Sequence, residues 1–432
     1  MILSRLLSIC LLSLTSLQAA QKPNIVLIMA DDLGYGGIGC YGAKQTHTPN
    51  LDALAATGVR CTDFHSNGAV CSPTRAALFT GRYQQRCGIT GVVTAKNHRD
   101  TGLALDEVTF AEELKKQGYT TALFGKWHIG YPKHLHPIHQ GFDHFTGFVS
   151  GNVDYHRFID QEGFYDWWKQ DQPHQETGYL TDLISKKAVD FISNHKDTPF
   201  CLVLTHGAPH YPIQGRNSPG FREIGKARTG TKLPGDPKSI YREMIEVMDE
   251  GIGNVVAQLD AHKLRENTLI IFCSDNGPAS LGSSGGLRGK KGQIYEGGHR
   301  VCGIFNWIGS LPAGSTCHTP ILTMDLFPTF LAMAQAQPTT KLDGINVLPI
   351  LQSDAQEKRD PLFWQIKQNI AVRDGHWKLI LNAKTEKSEL YNLNKDIKES
   401  NNCISDHPEI AKKLESLARN WIKEMQPYPK KS

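Results

Sequence analysis

This 432-residue sequence is first narrowed by what it lacks. It has no internal repeat and no low-complexity segment, which excludes solenoids, propellers and fibrous chains. No CxxC pair or Cys/His spacing points to zinc. Past residue 20 no apolar run is long enough to anchor the chain in a bilayer. Neither sign of charge dominates, since 47 Lys and Arg against 43 Asp and Glu leave +4. The terminal Lys430-Lys431 pair reads as a solvated tail, so a nucleic-acid footprint is missing too.

What remains is ordinary globular composition, 40% hydrophobic and 21% charged, with ample chain for a large core. The length suits one main α/β domain plus a small appendage. Met1 to Ala20 reads as a secretory signal, with Arg5, the apolar stretch Leu6 to Leu17, and Ala19-Ala20 at the cleavage site. An exported protein, periplasmic or secreted, with no membrane anchor is the expectation. Cys10 follows Ile9, which is not small, so it is a poor lipoprotein site. Cys201 and Cys273 sit inside apolar runs and read as packed thiols.

Four continuous apolar, β-branched runs predict strands buried on both faces, the mark of a parallel sheet flanked by helices. They are Asn24 to Ala30, Thr120 to Phe124, Phe200 to Leu204 and Thr268 to Cys273. Each ends in polar residues able to do chemistry. The first is followed by Asp31-Asp32, adjacent carboxylates that suit a hard divalent cation, although a lone pair of this kind is as often a solvated turn. The second leads to Lys126-Trp127-His128, where Lys126 and His128 can share one side of an extended segment. The third leads to His206 and His210, and the fourth to Asp275-Asn276-Gly277, by itself a turn signal. In a parallel sheet these carboxyl ends face one crevice.

Helices are expected from Pro49 with Asn50 as cap, over Thr109 to Gln117, Tyr179 to Asn194, Ile240 to His262 and Thr323 to Ala336. Tyr83 to Asp106 reads as surface loop. His134 to Trp168 is rich in His, Asp, Tyr and Trp, which suits sugar recognition or, equally, a loop with packed aromatics. Asp154 and His156 there, with His206, are candidate substrate contacts. Beyond Leu342 short strands are expected over 370–373, 377–381 and 389–393, then a closing helix over 408–425. The fold class is therefore α/β, a mostly parallel central sheet sandwiched by helices over 21–340. A small C-terminal subdomain over 341–432 adds an antiparallel sheet and the helix.

The stretch Ala69 to Arg82 organises the rest. Ser72 as N-cap and Pro73 at the first helical position would start a helix that Gly81 stops, placing Cys71 at an anion-favouring N-terminus. Arg75 lies one turn on. The run Cys71-x-Pro73-Thr74-Arg75 followed by Leu78-Phe79-Thr80-Gly81-Arg82 resembles the signature of the type I sulfatases of the alkaline phosphatase superfamily, with Thr74 where serine or alanine is usual. Gly125-Lys126-Trp127-His128-Ile129-Gly130 is similar to a second family element, Ile129 standing for leucine. Leu287 to Gly298 resembles the family's lysine loop, whose register favours Lys291 over Lys290.

The resemblance implies that Cys71 is oxidised to formylglycine by a formylglycine-generating enzyme, leaving eight cysteines for unassigned pairing. It implies a metal site of Asp31, Asp32, Cys71, Asp275 and Asn276 holding one divalent cation, calcium with magnesium as the alternative. It also implies catalytic roles for Cys71, Arg75, Lys126, His128, His210 and Lys291; the Pro-His-x-Pro pattern favours His210 as the residue that protonates the leaving alcohol, with an alignment from His206 as the alternative. The implied reaction hydrolyses a sulfate monoester, with a sulfated galactose or N-acetylgalactosamine as the expected glycan substrate. A phosphoester or phosphonate hydrolase of the same superfamily and a non-catalytic glycan-binding relative are the alternatives.

Overall fold

The computed structural model describes residues 22–227, 235–353 and 359–425. The proposed signal segment with Cys10, and the terminal lysine pair, lie outside these residues. Eleven strands form the main sheet. The four predicted runs are β1 (Asn24–Ala30), β3 (Thr120–Lys126), β7 (Phe200–Thr205) and β8 (Thr268–Ser274), and β2 (Val59–His65) precedes β3. Short strands β4 (His144–Phe148), β5 (Trp168–Lys169) and β6 (Gln172–Pro173) extend one edge. Beyond β8 come β9 (Arg300–Asn306), β10 (Ser315–Cys317) and β11 (Ile321–Leu322). The order is β10-β2-β9-β8-β1-β7-β3-β4-β5-β6, with β11 also on β2.

β8, β1, β7, β3 and β4 are mutually parallel, whereas β9 runs antiparallel to both β8 and β2. Strand β9 is absent from the sequence reading, which followed Arg300-Val301-Cys302 only as the tail of the lysine loop. Its seven residues are all buried. Side chains of β1 alternate between two cores. Ile25, Leu27 and Met29 join Phe79, Phe110 and Trp127, while Val26 and Ile28 join Ile184, Met244 and Ile252. Apolar residues on both faces are what a helix-covered parallel sheet requires.

The helices are α1 (Pro49–Ala56), α2 (Cys71–Thr80), α3 (Phe110–Lys116), α4 (Leu180–Asn194), α5 (Pro237–Ala261), α6 (Glu296–His299), α7 (Leu326–Met333), α8 (Leu348–Ser353) and α9 (Pro408–Glu424). Two starts differ from expectation. Thr48, not Asn50, precedes α1, because the Asn50 amide is spent donating to Asp249 Oδ2 at 2.8 Å. Helix α2 begins at Cys71 with Val70 extended before it, and the Ser72 hydroxyl accepts from the Val93 N–H at 3.0 Å instead of capping. Pro73 is thus the third helical residue.

A separate antiparallel sheet follows, β12 (Leu362–Ile366), β13 (Asn369–Asp374), β14 (Trp377–Asn382) and β15 (Lys387–Asn392), with α9 packed on it. Three of these strands were expected and β12 was not. No disulfide forms among the nine described cysteines. Cys201 and Cys273 are fully buried. Among the described residues no helix is long and apolar enough to cross a membrane.

Candidate active site

Because β8, β1, β7 and β3 are neighbours and parallel, their carboxyl ends bring four polar loops to one edge. Asp31 and Asp32 leave β1, and Asp275 and Asn276 leave β8, locked together where the Asp275 N–H donates to the Ala30 carbonyl at 3.1 Å. The Asn276 amide donates to Asp32 Oδ1 at 2.7 Å. Gly277 lets the β8 loop approach the start of α6, for a Cβ there would lie 1.9 Å from the Gly297 carbonyl oxygen. Lys126, the last residue of β3, places its ammonium 2.5 Å from Asp31 Oδ2. Lys291 comes from the loop before α6 and reaches Asp32 Oδ1 at 2.7 Å. Lys290 beside it is exposed.

Three buried carboxylates therefore share a small volume with three cations. Burial opposes ionisation of Asp31, but Lys126 and His210 outweigh it and hold its pKa below the ordinary value. Asp32 is lowered likewise, with burial overcome by His210 and Lys291. Asp275 moves up instead, through burial and the nearby Asp31 charge. Two oxygens at the centre, Asp31 Oδ1 and Asn276 Oδ1, have no hydrogen-bond partner among the described residues. Buried oxygens without donors are costly unless a cation completes them. Oxygen donors from carboxylate and amide are the set a hard divalent ion takes, so these residues fit one. Ligand atoms of Asp31, Asp32 and His210 also lie within 4.8 Å of one another.

Cys71 opens α2 at 2% exposure, and burial raises its thiol pKa against the pull of Lys126 and Lys291. A protonated thiol is a weak nucleophile, so the unmodified side chain is poorly suited to attack. Arg75 does not point back to Cys71 as a free cation. It donates from Nη2 to Asp275 Oδ2 at 2.9 Å and from Nη1 to the Lys126 carbonyl at 2.7 Å, tying α2 to β8 and β3.

The two histidines are held in opposite senses. His128 Nε2 donates to the Val93 carbonyl at 2.9 Å, leaving Nδ1 without a partner. Burial first, then Lys126 and Arg75, holds its pKa well below the ordinary value, so it is a neutral base. His210 donates from Nδ1 to the Tyr211 carbonyl at 2.6 Å and turns Nε2 to within 3.5 Å of Asp32. Burial lowers its pKa while Asp31 resists. Asp32 and His128 both adopt left-handed backbone, with φ of 64° and 63°. Such strain in residues other than glycine clusters at functional sites.

Cys71, His128, His210 and Lys291 line one cleft of about 380 Å³. The three expected substrate contacts do not. Asp154 accepts four backbone N–H bonds, from His156 and Arg157 on Oδ1 and from Phe221 and Arg222 on Oδ2. With both oxygens committed to backbone N–H groups it organises its loop, away from the cleft. His156 spends Nε2 on the Gly215 carbonyl at 3.0 Å and packs on Tyr179. His206 is fully buried, has no partner on either ring nitrogen among the described residues, and has its pKa lowered to about 4 by burial. Four of the aromatics in or beside the 134–168 stretch turn inward, since Phe158 stacks on Trp167 and Tyr155 on Tyr179 in the core. Other residues of that stretch, Ser150, Asn152, Gln161 and Glu162, do line the cleft, together with Lys96, Asn97 and Tyr131, which the sequence reading did not single out.

Comparison with known proteins gives this geometry a family. The sulfatase model matches residues 23–336, and a model for the C-terminal part of N-sulphoglucosamine sulphohydrolase matches residues 289–426. The chain belongs to the sulfatase family. Arylsulfatase A from Homo sapiens is 35% identical over 415 residues, covering 86% of this chain and 77% of that protein. N-acetylgalactosamine-6-sulfatase from Rattus norvegicus is 33% identical over 395 residues, covering 85% and 73%. Among solved structures, Ps i-CgsB, also determined in complex with k-i-k-neocarrahexaose, superposes with a TM-score of 0.83 at 30% identity and 93% coverage of both chains. This chain is accordingly a sulfatase enzyme, and the central sheet with its second, antiparallel sheet is the sulfatase architecture.

Proposed function

We propose that this sulfatase releases inorganic sulfate from a sulfated sugar, with galactose or N-acetylgalactosamine sulfate as the favoured class, after Cys71 has been converted to formylglycine by a formylglycine-generating enzyme. The single observation that carries the reading is the convergence of Lys126, Lys291 and Arg75 with three carboxylates around Cys71. Relatives named for N-acetylgalactosamine-6-sulfate, and a neighbour solved with a neocarrahexaose, support a glycan substrate. The leader-like Met1 to Ala20 supports export.

Asp31, Asp32, Asp275 and Asn276 would hold the divalent ion, calcium by this reading, beside position 71. When bound, that ion supplies Lewis-acid polarisation of the sulfate oxygens, and the aldehyde hydrate at position 71 supplies the attacking oxygen. The chain's own residues do the rest. Lys126 and Lys291 place ammonium groups where charge develops on sulfate, a benefit that counts in the transition state. Arg75 holds α2 against β8 and β3, so it positions the nucleophile and does not contact substrate. His128, neutral with a free Nδ1, accepts a proton from the diol. His210 presents Nε2 beside Asp32, and the charges of Asp31 and Asp32 offset part of the burial that lowers its pKa; its protonated form passes a proton to the departing alcohol oxygen.

Peptide mass spectrometry across Cys71, on protein from its native host, tests the reading first. A loss of about 18 Da is expected for thiol-to-aldehyde conversion, together with sulfate release from sulfated sugars and far slower turnover of aryl phosphate. An unmodified thiol in fully processed protein would sink the mechanism and leave the fold intact.

A further inference from the structure

The mouth of the cleft holds a feature that sulfate-ester chemistry does not use. Cys71 lies at the floor, 2% exposed, whereas Lys96 lines the same cleft from an exposed position. Among the described residues no carboxylate pairs with Lys96, although Glu162 lines the same cleft. Two opposite charges on one rim have thus been kept more than a salt-bridge distance apart. Left uncompensated, a lysine on a cleft wall is a binding element for an anion entering from outside.

The loop that carries Lys96 is fixed at both ends. At one end the Val93 N–H donates to Ser72 Oγ at 3.0 Å, and the Val93 carbonyl accepts from His128 at 2.9 Å. It is thereby tied to the first turn of α2 and to the proposed base. At the other end Arg99 pairs with Asp160 at 2.6 Å and stacks 3.8 Å above the Phe164 ring. Asp160 in turn accepts from the Glu162 and Phe164 N–H groups, so the two loops form one wall. Between the anchors the Thr94 N–H donates to His98 Nδ1 at 3.0 Å, closing a turn with Lys96 near its tip. Ordering in advance cuts the entropy cost of seating a ligand.

We infer that Lys96 forms a second anion-reading subsite, which takes a sulfate or carboxylate substituent on the leaving-group side of a glycan whose other sulfate is cleaved at Cys71. The inference rests on the sulfatase reading above and adds that the substrate carries at least two negative groups. Gln161, Glu162 and Asn97 line the same cleft, polar and without side-chain partners among the described residues, and serve the neutral hydroxyls.

The test compares kcat/KM for the mature, metal-loaded enzyme on three oligosaccharides of one backbone. One carries a single sulfate, one a second sulfate, and one a uronate in addition to the sulfate. The natural enzyme should favour a doubly charged substrate, and the arm it favours separates sulfate from carboxylate. Lys96→Met should cut that preference tenfold or more, chiefly through KM, and flatten its salt dependence. Lys96→Glu should reverse the preference, and Lys96→Arg should restore most of it. Equal losses on all three substrates, or no preference in the natural enzyme while aryl sulfate is still hydrolysed, would overturn the subsite and leave the sulfatase reading standing. Failure on aryl sulfate and every glycan, with aldehyde and metal content verified, would overturn both.

Discussion

Two clusters of buried charge invite comparison. The cleft gathers Asp31, Asp32 and Asp275 with Lys126, Lys291 and Arg75. Where the two sheets meet, Asp63, Glu296 and Glu399 face Arg300, Arg373 and Lys378, joined by His65 and His299. Their compositions nearly match, and both offer ligand atoms grouped tightly enough for a metal. At His65, Glu296 and His299, however, a protein cation already stands in place. Lys378 Nζ lies 2.9 Å from Glu296 Oε1 and 3.1 Å from His299 Nε2. The cleft instead leaves Asp31 Oδ1 and Asn276 Oδ1 bare of donors. Each carboxylate of the cleft is already paired with a lysine or arginine, so the difference lies in the grouped ligand oxygens, two of which lack a donor there. A cluster whose ligand atoms are all satisfied by the chain is structural, and one that leaves central oxygens unsatisfied is built to receive an ion.

Removing the received ion should have the largest effect. Exhaustive chelation is expected to lower sulfate release by ~10³-fold or more, the equivalent of several kcal/mol of lost Lewis acidity. Calcium or magnesium added back should restore it, and whichever restores more identifies the resident ion. The melting temperature should also fall on chelation, because an ion bound only by the folded chain stabilises it by mass action. Full activity in protein shown by elemental analysis to be metal-free would erase the contrast between the clusters.

Lys378→Met attacks the other cluster. It strands Glu399 and leaves Glu296 with Arg300 alone in a fully buried setting, and breaking a buried pair in this way costs about 3–5 kcal/mol. The denaturation midpoint should drop accordingly, while metal content per folded chain stays that of the natural protein. A variant with an unchanged midpoint would show that the network contributes nothing to holding the sheets together.

The contrast also explains what was legible in the sequence. The four strand-end loops could be read because buried parallel strands leave unbroken apolar runs, and Asp31-Asp32, Lys126, His210 and Asp275-Asn276 each follow one directly. Strand β9 escaped because its polar start, Arg300, belongs to the charge network and its glycine-bearing run continues a recognised loop. Asp154 was misread because composition places a carboxylate in a loop without saying which way it faces. Here it faces inward, capping four backbone N–H groups. The helix start at Cys71 was misplaced by a tertiary bond, since Ser72 satisfies the Val93 N–H and leaves extended Val70 to precede the first turn. Lys96, Gln161 and Glu162 had no periodicity or motif to announce them. Their role depends on Arg99 and Asp160 drawing two distant loops together.

The smallest expected effect concerns a group in neither cluster. His206 is buried without partners, and its pKa falls from 6.5 to about 4 because the cation cannot be solvated there. Above pH 6.5 the imidazole is neutral in both folded and unfolded chains and leaves stability independent of pH. Between 6.5 and 4 the unfolded chain takes up a proton that the folded chain refuses, so stability is lost as pH falls, by at most about 3 kcal/mol. Below 4 both states are protonated and the loss stops growing. His65 and His299 are depressed as well, mainly by burial, and share the same acid limb. Urea midpoints at pH 7, 5.5 and 4.5 should therefore fall less steeply in His206→Gln than in the natural chain, without becoming flat. Identical slopes would mean that His206 gains a proton partner in solution. A slope abolished by this one substitution would mean that the histidines of the Lys378 network contribute nothing, and the network would then be less closed to protons than its ion pairs imply.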